Sequence, residues 1–164
     1  LGTVTIGLIC AIDSELAALS AALEAERHTD IAHTRFAEGT LDGHPVVLVG
    51  AGMGKVNAAV VTTLLIERFG ARAVVFSGVA GGLRPDLAVG DVVIADRVIQ
   101  CDAGRIEDGR LRVYQPGHVE FFNPTDRLGY DVDPALLARV REALDAPYPG
   151  VLPDGPAPKK AFGS

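Results

Sequence analysis

Ala73-Val74-Val75-Phe76-Ser77-Gly78-Val79-Ala80-Gly81-Gly82-Leu83 is the stretch that decides how the rest of the chain is read. It opens as an apolar, β-branched run, the composition of a strand buried on both faces of a sheet. Four small residues, Gly78, Ala80, Gly81 and Gly82, then follow around Val79. A buried strand ending in such a bend puts bare backbone at the carboxyl edge of a sheet, where open α/β sheets bind their ligands. Main-chain N–H groups can approach a ligand there with no Cβ in the way. The same glycines would serve equally well in a tight turn that needs positive φ.

Two other strand ends upstream resemble this one. Thr3 to Cys10 reads as a strand. Ala11 and Ile12 lead from it into Asp13-Ser14-Glu15, after which Leu16, Leu19, Ala22 and Leu23 recur at helical spacing. Asp13 or Ser14 suits the N-cap, and Glu15 falls in the first turn. Signals are weak from His28 to Asp30. Thr34 to Leu41 and Pro45 to Ala51 then form a hairpin pattern joined at Asp42-Gly43. Gly50-Ala51-Gly52-Met53-Gly54-Lys55 opens a helix from about Val56 to Phe69, closed by Gly70. The apolar residues of that helix are too broadly spread for one stripe, so it is expected to pack on the sheet and on something else, a second subunit being one candidate. If the three strands are parallel neighbours, the loops Ile12–Glu15, Gly52–Lys55 and Val79–Gly82 share one edge.

Downstream, Val92 to Val98 reads as a strand that continues towards Cys101, and Glu107-Asp108-Gly109 as a surface turn. Tyr114 to Pro134 has no periodicity, and a loop of that length is functional or mobile. Leu136, Leu137, Val140 and Leu144 mark a short amphipathic helix behind Pro134. Residues 146–158 hold five prolines and two glycines, the composition of an exposed loop. Lys159 to Ser164 looks like the first half of another strand, so residues 1–164 are expected to form a single, incomplete α/β domain.

Composition bounds the function. The 164 residues are 48% hydrophobic, enough for one domain with a proper core. Fifteen Lys and Arg against 21 Asp and Glu give a net charge of −6 without a basic cluster, which argues against nucleic acid and anionic membranes as partners. No apolar run approaches the roughly 20 residues of a membrane span. With no basic n-region or cleavage pattern at the start, a cytoplasmic location is expected. Cys10 and Cys101 read as buried small hydrophobes, and no residue cluster has metal spacing. The glycine patterns match neither the dinucleotide fingerprint nor the P-loop.

Taken together and in order, Ile9-Cys10-Ala11-Ile12-Asp13-Ser14-Glu15-Leu16, Gly50 to Ala59, and Ser77 to Leu83 followed by Val89-Gly90-Asp91-Val92-Val93 resemble the 5′-methylthioadenosine/S-adenosylhomocysteine nucleosidases of the nucleoside phosphorylase superfamily. The resemblance covers nearly all of the chain, more loosely from Asp102 to Pro158. It implies an α/β fold, a central mixed β-sheet flanked by helices, here C-terminally truncated, and a homodimer. It implies hydrolysis of an N-glycosidic bond in a purine nucleoside, releasing adenine, with no cofactor and no metal. The glutamate matching Glu15 holds and activates the attacking water. The residues matching Ile12 and Met53 line the apolar pocket for the 5′-thio substituent, and those matching Val79, Ala80 and Gly81 lie beside the ribose and base. Many relatives carry serine in place of Val79, so a hydroxyl contact is lost here. The family's ribose-binding Met-Glu element and purine-protonating aspartate fall beyond residue 164, so this chain alone is expected to release no adenine.

The competing readings stay open at this level. Glu15 could be a helix-start residue favoured by the dipole, by roughly 0.3–1 kcal/mol. That dipole lowers the pKa and weakens the base, so catalysis is expected to need burial to push it back. Ile12 and Met53 could be plain core, and Lys55 a solvated helix start. A phosphate nucleophile would need cationic clamps, whereas the first loop offers Asp13 and Glu15 and no arginine, which favours water. A phosphorolytic purine nucleoside phosphorylase, a futalosine hydrolase and a non-catalytic dimerising module are the alternatives.

Overall fold

The computed structural model describes residues 4–113, 129–145 and 160–162. It divides into two units, residues 1–81 and 82–164. The first holds β1 (Ile6–Cys10), α1 (Asp13–Ala22), β2 (Glu24–Ile31), β3 (Thr34–Leu41), β4 (His44–Gly50), α2 (Lys55–Glu67) and β5 (Ala73–Phe76). One mixed sheet runs in the order β2-β3-β4-β1-β5. Strand β1 is parallel to both β4 and β5, with Leu8 opposite Leu48 and Val75. The three strands therefore point the same way, and their carboxyl ends form one edge.

Alternate residues of these strands feed two cores, because successive side chains point to opposite faces. Ile9, Val47 and Val49 pack with Val61 and Leu65 of α2 on one face. Val46 and Leu48 pack with Leu23 and the half-buried Leu16 and Leu19 of α1 on the other. Gly7 lets Leu65 lie directly on β1, since a Cβ there would sit 2.8 Å from Leu65 Cδ1. Phe69, just past α2, stacks on Phe36 of β3 with ring centroids 4.8 Å apart. Gly70, at φ 67°, then ends the helix, and the Ala71 N–H donates to the Leu65 carbonyl at 2.9 Å.

The hairpin between β3 and β4 turns at Asp42 and Gly43, both at positive φ (49° and 74°), as its sequence predicts. Strand β2 is the element its sequence conceals. The span with weak signals around His28 to Asp30 is the middle of an eight-residue edge strand that is mostly exposed and lacks apolar alternation. Cross-strand ion pairs, Arg27–Glu38 and Arg35–Asp30, lie along it instead. A second correction concerns β5. It is not buried on both faces: Val75 is 40% and Phe76 57% exposed, and among the described residues β5 is the last strand of this sheet.

The second unit contains β6 (Val92–Ile94), β7 (Arg97–Val98), β8 (Gly104–Glu107), β9 (Arg110–Val113), β10 (Tyr130–Asp131), α3 (Pro134–Asp145) and β11 (Lys160–Phe162). The strand expected from Val92 to Val98 is broken at Ala95-Asp96: β6 pairs in parallel with β11, whereas β7 pairs antiparallel with β10. Nothing beyond Val98 continues it, and Cys101 is exposed in the following loop rather than buried, unlike Cys10. The Glu107-Asp108-Gly109 turn joins β8 and β9. Helix α3 starts behind Asp133, whose Oδ1 accepts the Leu136 N–H at 2.8 Å. Most of the Tyr114–Pro134 stretch and all of the 146–158 loop lie outside the described residues. No helix among those described is long and apolar enough to cross a membrane.

Candidate active site

The parallel run of β4, β1 and β5 brings the three expected loops to one edge of the first unit, and Glu15 ties two of them together. Its side chain leaves the first turn of α1 and turns back over the end of β1. Oε2 accepts the Ala11 N–H at 2.8 Å and the Ile12 N–H at 3.2 Å. Oε1 accepts the Val79 N–H, 64 residues away in sequence, at 2.9 Å. The bend after β5 thus presents its backbone, as its glycines predict, and the recipient is a side chain of this same chain.

These bonds explain two departures from the sequence reading. Neither Asp13 nor Ser14 caps α1. Ile12 occupies the N-cap without a side-chain cap: its carbonyl accepts the Glu15 and Leu16 N–H groups, each at 3.1 Å, and the Glu15 carboxylate reaches back to the Ile12 N–H. Burial does not push Glu15 upward either. The Val79 N–H, followed by that of Ala11, holds the half-buried carboxylate below its ordinary range and outweighs the opposing effect of desolvation. Glu15 is consequently an ionised acceptor at neutral pH. Beneath it, burial and then the Glu15 charge push the Cys10 thiol up, so Cys10 stays neutral.

Val79 contributes its main chain, while its side chain is largely exposed. The contact to Glu15 is therefore indifferent to whether position 79 carries valine or serine. Ala80 and Gly81 continue the exposed bend, and a Cβ on Gly81 would meet only open space. Ile12 is half-buried, and Met53 is 77% exposed on the loop between β4 and α2. That loop is shaped by Gly52 and Gly54, both at positive φ, and by the Asn57 amide, which donates to the Met53 carbonyl at 2.9 Å. An open cavity of about 270 Å³ lies at this edge, lined by Ala11, Gly52, Gly54, Lys55, Ala58 and Phe76. Ala11, Gly52 and Gly54, the chain neighbours of Ile12 and Met53, are among its walls, whereas those two residues are not.

Sequence reasoning missed Gly78 and the Ala11 backbone as parts of this arrangement. A Cβ on Gly78 would lie 2.8 Å from Glu15 Oε1. The signal was present in the glycine directly after Ser77, but only the fold shows what it makes room for. Among the described residues, no group of three or more His, Cys, Asp or Glu could hold a metal ion.

A mixed sheet with a helix on each face, whose parallel strand ends gather around a backbone-held glutamate, defines an α/β ligand-binding class. Over residues 5–152 the sequence matches the phosphorylase superfamily, and the chain belongs to that superfamily. Within it, the chain is 56% identical over 142 residues to the 5′-methylthioadenosine/S-adenosylhomocysteine nucleosidase of Mycobacterium tuberculosis, covering 87% of this chain and 56% of the relative. It is 42% identical over 139 residues to the enzyme of that name from Marinomonas sp., covering 85% and 57%. The crystal structure of such a nucleosidase from Colwellia psychrerythraea, in complex with adenine, superposes with a TM-score of 0.79 at 30% identity, covering 98% of this chain and 60% of that one. The chain spans little more than half the length of the curated relatives it matches.

Proposed function

We propose that the protein is a purine nucleosidase that hydrolyses the N-glycosidic bond of 5′-methylthioadenosine or S-adenosylhomocysteine and releases adenine. The observation that carries this reading is the Glu15 carboxylate, ionised and fixed by N–H groups from two strand ends. A water held by it attacks the anomeric carbon. The bond to adenine breaks with its electron pair leaving on the base, which gains a proton to become adenine. The water proton passes to Glu15 and is then lost, so that of the two water hydrogens one stays on the sugar hydroxyl and the other balances the proton taken up by the base. A carboxylate with a lowered pKa suits this order of events. Glycoside cleavage runs through an oxocarbenium-like state, and a water bonded to such a carbon is acidic enough for a weak base.

Ile12 and Met53 border the 5′-thio substituent in this reading, and Val79, Ala80 and Gly81 border the ribose and base. The names of the nucleosidase relatives and the adenine in one of their structures support the substrate class. Water is favoured over phosphate because the first loop carries the carboxylates of Asp13 and Glu15 and no arginine clamp, leaving Lys55 as the one cation among the described residues lining the cavity. The reading includes a cytoplasmic homodimer. Its dimer contact involves α2, where Val56 and Val60, one turn apart, are exposed.

The test is adenine release from each nucleoside by the full-length protein in phosphate-free buffer, with inorganic phosphate then added. Release without phosphate, yielding the free sugar, is expected. Release that requires phosphate and yields a sugar phosphate would replace hydrolysis by phosphorolysis, and release from neither nucleoside would refute the reading.

A further inference from the structure

Glycine at position 78 is not explained by its backbone. Gly78 is not in the left-handed region, in contrast to Gly52, Gly54 and Gly70, so any L-residue could adopt its conformation. What it lacks room for is a side chain. An added Cβ would lie 2.8 Å from Oε1, 2.9 Å from Cδ and 3.0 Å from Oε2 of Glu15. All three atoms belong to the far end of a flexible side chain, so the carboxylate would yield before the fold did.

The hydrogen bonds show which oxygen matters. A carboxylate oxygen has about two acceptor positions. Those of Oε2 are taken by Ala11 and Ile12, whereas Oε1 accepts only Val79 among the described residues. The remaining position is on Oε1, the atom nearest the missing side chain. We propose that Gly78 is a positioning residue: its absent Cβ is the space that lets Oε1 stand over the end of β5 and face the reacting water. This rests on the nucleosidase reading given above, and it adds a residue that acts on the reaction only through Glu15.

Gly78→Ala pushes the carboxylate off the Val79 N–H while α1 and the sheet stay in place. Misplacing a reacting group by about an ångström costs up to about 10²-fold in rate. In the full-length protein, kcat for adenine release is therefore expected to fall about 10- to 100-fold, with KM nearly unchanged, because the atoms nearest the added Cβ all belong to the Glu15 side chain, which leaves Val79, Ala80 and Gly81 beside the ribose and base in place. In a Glu15→Gln background the same substitution should cost almost nothing more. Titration of the Glu15 carboxyl carbon by NMR gives a readout that needs no turnover. Its midpoint should rise in Gly78→Ala, since the Val79 bond is the largest influence lowering it. The other titratable groups beside this edge are Cys10 on β1, which stays neutral, Asp13 at the start of α1 and Lys55 at the start of α2.

An unshifted titration together with an unchanged kcat would overturn the proposal. So would an equal penalty in the Gln background. A wild-type protein that releases no adenine, but whose Glu15 titration still shifts, would overturn the functional reading instead. If Gly78→Ala folds poorly, Glu15→Asp in the same chain withdraws the acid by one methylene and should raise the thermal midpoint. Failure of that rescue also counts against the proposal.

Discussion

Glu15→Gln exchanges one oxygen for an NH2 group, and the geometry dictates where each goes. Two N–H donors converge on Oε2 and one on Oε1. The amide oxygen will take the side with two donors, beside Ala11 and Ile12. Its NH2 then faces the Val79 N–H, turning one of three hydrogen bonds into a donor–donor contact. The acceptor position that would receive the water proton becomes a donor, so the base is lost and not merely weakened. Adenine release by the full-length protein should fall by about 10²–10⁴-fold, the scale of a lost general base.

Stability changes with a definite pH signature. The folded pKa of Glu15 lies below its unfolded value. Its contribution is therefore complete above the unfolded value, about 4.3, and is lost as the pH falls through the folded one. Glu15→Gln should melt lower than wild type at neutral pH, and the gap should close on acidification. Turnover and thermal midpoint measured on the same preparation test both statements. Near-normal turnover with a lowered midpoint would make Glu15 a helix-start residue and refute the water-activating role.

Leu65→Ala should cost about 2–5 kcal/mol in urea denaturation, because Leu65 is fully buried against Gly7 in the core beneath α2. A loss well under 1 kcal/mol would mean that α2 does not seal this face, since even Ile→Val in a core typically costs about 0.5–1.5 kcal/mol. Val60→Glu, at a position 48% exposed on α2, should leave the secondary structure seen by circular dichroism intact and convert the proposed homodimer to a monomer in light scattering. A wild-type chain that is already a monodisperse monomer at micromolar concentration would refute the dimer.

Several elements were legible because their cause is local. Asp42-Gly43 between two apolar runs specifies a turn with both residues at positive φ, and that turn is present. Gly70 stops α2 for the same kind of reason, since the left-handed conformation it adopts is costly for other residues. The three strand-to-glycine breaks announced a common edge, and the parallel pairing of β1 with β4 and β5 brought them together. Position 15 stood out through an ordered set of motifs and not through its own chemistry, for a glutamate in a first turn is ordinary.

What lay hidden depends on partners distant in the chain. Strand β2 owes its place to hydrogen bonds and ion pairs with β3, so its own residues show no alternation to read. The exposure of Val75 and Phe76 is likewise a property of what the folded chain packs against them, which their apolar composition does not record. The state of Glu15 is decided by an N–H 64 residues away and by the missing Cβ at Gly78. Periodicity and turn chemistry act over a few residues. A carboxylate's pKa and orientation are set by whatever the folded chain brings within about 3 Å of it, and only the tertiary structure does that.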